Sequence, residues 1–104
     1  MDANPPRMTS PTLKVLRELI SGSSNGISGA EIARLTGLAS GTLYPILFRL
    51  EKSGWLTSRW EEVIPSEVKR PRKRLYTFTG LGEAETRAAF REILPDLKEP
   101  IWQS

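Results

Sequence analysis

Neither cysteine nor histidine occurs in this 104-residue chain. Without cysteine there can be no disulfide, thiol nucleophile or thiolate metal site. Without histidine, the usual general base near neutral pH and the commonest metal ligand are both missing. Long apolar runs are lacking too, and none approaches the ~20 residues needed to span a bilayer. Residues 1–10 are polar and contain proline, without the apolar segment of a signal peptide, so a cytoplasmic location and no membrane partner are expected. Carboxylates are present, but no Asp or Glu pair is well placed for acid–base work. Together these absences argue against an enzyme and against any cofactor or metal.

What is present suits a small soluble fold. Hydrophobic residues make up 38% and charged residues 26%, enough for one domain of four short helices and a hairpin. The net charge is only +3, but its distribution is uneven. Lys69, Arg70, Arg72, Lys73 and Arg74 place five of the fifteen cations within six residues. Such clustering points to a polyanion, although a basic run standing alone is more simply a solvated loop.

Helix punctuation divides the chain. Residues 1–9 are expected to be frayed, residues 10–94 to form the domain, and residues 95–104 to be a tail. Thr9 or Ser10 can cap a first helix with Pro11 in its first turn, where the missing N–H costs nothing. Leu13, Leu16, Leu19 and Ile20 supply its buried stripe. Gly22 and the Ser23–Gly26 run end it, and Ile27 is a candidate short strand. Ser28 and Glu31 have capping-box spacing for a second helix, with Ile32, Ala33 and Leu35 inward and Gly37 as a left-handed stop. A third helix starts at Ser40 or Thr42. It buries Leu43, Ile46, Leu47 and Leu50, ends at Gly54, and needs Pro45 in or near its first turn.

Residues 55–63 and 75–79 then read as two strands. Leu56, Ser58 and Trp60 share one face of the first, and Tyr76 and Phe78 share one face of the second. A loop of about ten residues joins them into an antiparallel hairpin, with Trp55 and Trp60 read as packing residues. Thr79 caps a fourth helix carrying Leu81, Ala84, Ala88 and Ile93, which Pro95 stops. The expected fold class is therefore α+β and mostly helical: a winged helix-turn-helix with a three-helix core, a two-stranded wing and a C-terminal fourth helix.

That element order sets the third helix into a DNA major groove. Thr42, Pro45, Arg49 and Lys52 recur on its side opposite the leucines, forming a narrow, polar and cationic strip. Arg49 and Lys52 taken singly are equally well read as solvated helix residues. Tyr44 either offers its hydroxyl to a phosphate or packs beside Phe48. Arg70, Arg72, Lys73 and Arg74 would form the wing, which positions a protein on DNA without specifying sequence. Arg74 borders the strand and has Glu61 or Glu62 as alternative cross-strand partners.

Gly41-Thr42-Leu43-Tyr44-Pro45-Ile46-Leu47, followed by Leu50-Glu51 and Gly54, resembles the recognition-helix signature of PadR-like regulators. Trp60-Glu61, then Arg74-Leu75-Tyr76-Thr77-Phe78-Thr79 and Gly82, resembles the family's hairpin and the start of its next helix. The likeness runs from Leu13 to Ala89. It implies a homodimeric repressor on a palindromic promoter site, with Ser40, Thr42, Tyr44 and Arg49 contacting double-stranded DNA. It also implies a small aromatic effector as a further partner. The chain departs from the family pattern at its end, because Pro95 stops the usually long last helix after about fifteen residues. A dimer interface would then draw on Ala88, Phe90, Leu94, Ile101 and Trp102, with Trp102 covering core or a partner subunit rather than a ligand. The competing functions are a DNA-binding accessory factor without an effector, and a winged helix that binds only protein.

Overall fold

The computed structural model describes residues 6–22 and 24–93. In chain order the elements are α1 (Ser10–Ser21), β1 (Ile27–Ser28), α2 (Gly29–Thr36), α3 (Ser40–Lys52), β2 (Leu56–Trp60), α4 (Pro65–Val68), β3 (Arg74–Phe78) and α5 (Gly80–Ile93). Three strands form one antiparallel sheet in the order β1-β3-β2. The expected hairpin is there, and Ile27 adds a third short strand by pairing with Tyr76. No described helix is long and apolar enough to cross a membrane.

Local chemistry accounts for most helix ends. The Thr9 hydroxyl accepts from the Thr12 N–H, and Pro11 occupies the first turn of α1. The Ser28 hydroxyl accepts from the Glu31 N–H at 3.1 Å, while the Glu31 carboxylate turns to Arg34 instead of closing the reciprocal box. Gly37 stops α2 at φ 75°, a backbone conformation that costs glycine little. The third helix begins at Ser40, one of the two starts read in the sequence, but neither Ser40 nor Thr42 caps it. Ala39 is its N-cap, with no side-chain hydrogen bond, and the backbone N–H groups of Thr42 and Leu43 both bond to the Ala39 carbonyl. Pro45 consequently lies in the second turn, where its missing N–H leaves the Gly41 carbonyl without the usual donor.

One core joins the elements: Val15, Leu16 and Leu19 of α1, Ile32 of α2, Leu43, Ile46, Leu47 and Leu50 of α3, then Trp55, Leu56 and Tyr76. The leucine face of α3 is as its periodicity predicts. On α1 the stripe is rotated: Thr12 and Val15 are buried, whereas Leu13 and Ile20 are only half-buried. On α2, Leu35 is exposed rather than inward.

The last helix turns the other way from the expected one. Leu81, Ala84, Ala88 and Ile93 are exposed, and Gly82 and Thr86 are buried. A Cβ on Gly82 would sit 2.0 Å from the Trp55 carbonyl oxygen, so only glycine lets α5 approach this closely. Thr79 fixes the approach. Its N–H donates to the Trp55 carbonyl, and its hydroxyl donates to the Gly54 carbonyl while accepting from the Gly82 N–H. Backbone contact, not side-chain hydrophobicity, sets this helix's rotation. Three helices closing a core, followed by a sheet whose β2–β3 loop projects beyond it, make a winged helix-turn-helix.

Candidate nucleic-acid interface

Burial of the four aliphatic residues on one side of α3 fixes what the other side presents. Gly41, Thr42, Pro45, Phe48, Arg49 and Lys52 are all exposed. Thr42 and Arg49 flank this face on one side, and Ser40, Tyr44 and Glu51 flank it on the side towards the wing. The Arg49 guanidinium makes no hydrogen bond or ion pair with a described residue, so its full donor set is available. The Lys52 ammonium lies over the Phe48 ring, 5.6 Å from its centroid. Thr42, Pro45, Arg49 and Lys52 thus share one accessible surface, as the sequence predicts. Phe48 belongs to it too, at 61% exposure, which rules out the alternative of Tyr44 and Phe48 packing together as core.

Tyr44 lies towards α2. A Cβ on Gly29 would fall 2.7 Å from the Tyr44 hydroxyl, so the ring lies over the first residue of that helix. Here it lines a groove of about 620 Å³ together with Ala30, Trp60, Tyr76 and the chain from Arg70 to Arg74. Aromatic walls, the N-terminus of α2 and cations meet in this groove between α3 and the wing. Burial in the sheet raises the Tyr76 phenol above its ordinary value.

The wing is held by internal contacts. Glu61 accepts from both terminal nitrogens of Arg70, at 2.8 and 3.1 Å, and from the Lys73 backbone N–H at 3.1 Å. In return the Glu61 N–H donates to the Lys73 carbonyl, extending the ladder by one pair beyond Trp60 and Arg74. The Arg70 hydrogen bonds, aided by the Lys73 amide, pull the Glu61 carboxyl from its ordinary 4.5 down to about 2. The loop between is not structureless. Pro65 opens α4, and Lys69, at φ 61°, closes it. Arg72 donates from Nε to the Val63 carbonyl at 3.3 Å.

Arg74 ties the wing to α3. Its guanidinium stacks 5.2 Å from the Trp60 ring centroid, and its Nε donates to the Ser58 hydroxyl at 3.0 Å. That hydroxyl donates to Glu51 Oε2 at 2.6 Å, and Arg74 stands 3.9 Å from the same oxygen. Arg74 therefore pairs with Glu51 of α3, not with the alternatives Glu61 and Glu62. Trp55 is buried, as a packing residue should be, but Trp60 is half-exposed and serves as a platform for Arg74.

The structure thus brings Ser40, Thr42, Tyr44, Pro45, Arg49 and Lys52 onto one helix, with Arg70, Arg72, Lys73 and Arg74 alongside, but it commits Arg70 and Arg74 to carboxylates. Sequence reasoning missed Phe48, Glu51, Ser58, Trp60 and Glu61. Phe48 was legible from its spacing of three from Pro45 and four from Lys52. The pairings of Glu51 and Glu61 carried no local signal. Of the residues expected at a dimer interface, Ala88 is exposed and Phe90 is half-buried against the core. Leu94, Ile101 and Trp102 lie outside the described residues. No group of three carboxylates suited to a metal ion occurs among the described residues.

Comparison with known proteins agrees with this architecture. The chain resembles AbfR of Staphylococcus epidermidis at 29% identity and a TM-score of 0.66, over 84% of this chain and 54% of that one. Reduced AbfR bound to DNA matches at 26% identity and a TM-score of 0.68, over 90% of this chain and 60% of that one. A PadR-like transcription factor from Bacteroides fragilis, at 22% identity and a TM-score of 0.61 over 83% and 84% of the two chains, shares the fold. The chain spans about half the length of the AbfR structures it matches. No curated protein matches it.

Architecture and site define a winged-helix protein of the transcription-regulator type. The model of the transcriptional regulator PadR-like family matches residues 27–88, from the first strand through most of α5, and the chain belongs to that family.

Proposed function

We propose that this protein is a sequence-specific double-stranded DNA-binding regulator, acting as a homodimeric repressor on a palindromic promoter site. The observation that carries this reading is the joint exposure of the α3 face and the basic wing on either side of one groove. A helix face whose Arg49 has no partner among the described residues suits the major groove, where arginine recognises guanine through two hydrogen bonds. The wing cations Arg72 and Lys73 suit the phosphate backbone beside it. Tyr44 and the start of α2 add hydrogen-bond donors between them. The DNA complex of AbfR, a relative, supports the same use of the fold here.

The exposed strip of Leu81, Ala84 and Ala88 on α5 supports self-association. It adjoins a groove of about 540 Å³ in which Met8, Trp55, Ala88 and Ala89 are joined by the charged Glu85, Arg91 and Glu92. A dimer formed through that strip would have to present its two α3 helices to half-sites about one helical turn apart. Selection of bound fragments from random duplexes tests the reading: a palindromic enriched site supports it, and the absence of enrichment contradicts it.

A protein-binding role has one observation in its favour. Ile64 and Val68, at the tip of the wing, are exposed beside Trp60. Under that alternative, association would be insensitive to salt and would not require DNA.

A further inference from the structure

Of the large apolar side chains among the described residues, Phe48 is the most exposed, at 61%. It stands at the middle of the outward face of α3. Gly41, Pro45, Phe48 and Lys52 follow one another at intervals of four, three and four residues, the repeat of a single helical stripe. Among the described residues, only Lys52 is seen over the ring, and most of its surface is open. A Cβ built on Gly41 meets no atom within 4 Å, so the stripe is shallow at that end. The Lys52 ammonium lies 5.6 Å from the ring centroid, and at 61% exposure most of the ring remains accessible. An exposed phenyl ring beside a cation, on a shallow stripe with Gly41 and Pro45, fits a groove with a small apolar feature in it.

The base edges of the major groove offer one such feature, the 5-methyl group of thymine. We infer that Phe48 is a specificity-determining residue that reads thymine by packing its ring against that methyl, alongside the base hydrogen bonds of Arg49. Lys52 would act as its positioning partner, holding the ring by cation–π contact and facing the phosphates beyond it. This inference rests on the DNA-binding reading above and adds to it a base identity and the group that senses it.

Deoxyuridine differs from thymidine by this methyl alone, so the contact can be deleted from the DNA without touching the protein. The experiment selects a site with the wild-type protein, then replaces its thymines one at a time with deoxyuridine. Affinity is measured for wild type, Phe48→Ala and Phe48→Leu. Burial of one methyl corresponds to about a fourfold change in affinity. Wild type should lose about that much at one or two thymines in each half-site. The alanine variant should bind more weakly and be indifferent to the same replacements, and leucine should keep part of the discrimination. Because the ring is exposed, both variants should melt with the wild type. An equal deoxyuridine penalty in wild type and Phe48→Ala would overturn the inference, as would a wild type that ignores every thymine methyl while still selecting a site. Failure of the wild type to bind any duplex would instead overturn the regulator reading, and this inference with it.

Discussion

The cations of α3 and those of the wing look alike in the sequence but have different surroundings in the fold. Arg49 extends from α3 with no partner among the described residues, and Lys52 touches only a ring. In the wing, Arg70 is clasped by Glu61, and Arg74 is shared among Trp60, Ser58 and Glu51. The comparison separates two uses of positive charge. On the helix the charge is free and directional, suited to reading bases. In the hairpin much of it is spent internally, where Arg70 and Arg74 are tied to carboxylates and, among the described residues, Arg72 and Lys73 are not. A count of basic residues overstates what the wing can offer a polyanion. Carboxylates inside this basic surface are explained the same way: Glu51 and Glu61 hold the arginines in place.

The comparison can be broken most sharply at Arg49. If that side chain reads a base, Arg49→Ala should cost about 1–3 kcal/mol, roughly 5- to 150-fold, on the selected site and little on random duplex. Equal losses on both would make Arg49 one more phosphate contact, and the contrast with the wing would vanish. Next comes the tie between the two regions. Ser58→Ala removes the hydroxyl that both accepts from Arg74 and donates to Glu51. It should lower unfolding stability by about 1–3 kcal/mol in urea titration, with faster amide exchange in β2 and β3. Smaller still is the division of labour within the wing. Replacing Arg72 and Lys73 with alanine should flatten the slope of log affinity against log salt by about 1.8, while Arg70→Ala should barely change it. A slope change at Arg70 equal to that at Lys73 would show that the clasp opens on DNA.

The smallest effect concerns pH. The Glu61 carboxyl sits near 2 when folded, against an ordinary 4.5. A depressed carboxyl contributes stability that is fully present above its unfolded value and is lost as pH falls towards its folded one. Amide protection at Glu61 and Lys73 should therefore hold at pH 5 and decline between about 4.5 and 2. In Glu61→Gln that decline should be absent and the protection lower throughout.

How far the sequence could be read depended on the range of the forces involved. The order of elements was legible because caps, glycines and period-3.6 leucines act within a few residues: Ser28 caps α2, Gly37 stops it, and Leu43, Ile46, Leu47 and Leu50 point inward as spaced. The outward face of α3 followed from its inward one, except that Phe48 was not included in it. The facing of α5 was not legible. Gly82 and Thr86 are buried there because Thr79 and Gly82 dock on the backbone around Trp55, and a hydrophobic pattern cannot encode that contact. The short helix α4 was missed because its four residues are too few for a period to show. The arginine partners were missed for a tertiary reason: Arg70 meets Glu61 across nine residues, and Arg74 reaches Glu51 only after the hairpin folds back on α3.

The central claim is that the α3 face and the wing engage one duplex at the same time, and an NMR titration with a selected duplex tests it most directly. Amide signals of Gly41, Thr42, Phe48 and Arg49 on α3, Ala30 at the start of α2, and Arg72 and Lys73 in the wing should all move together and saturate at one stoichiometry. Shifts confined to the wing, or to α5 alone, would contradict the account.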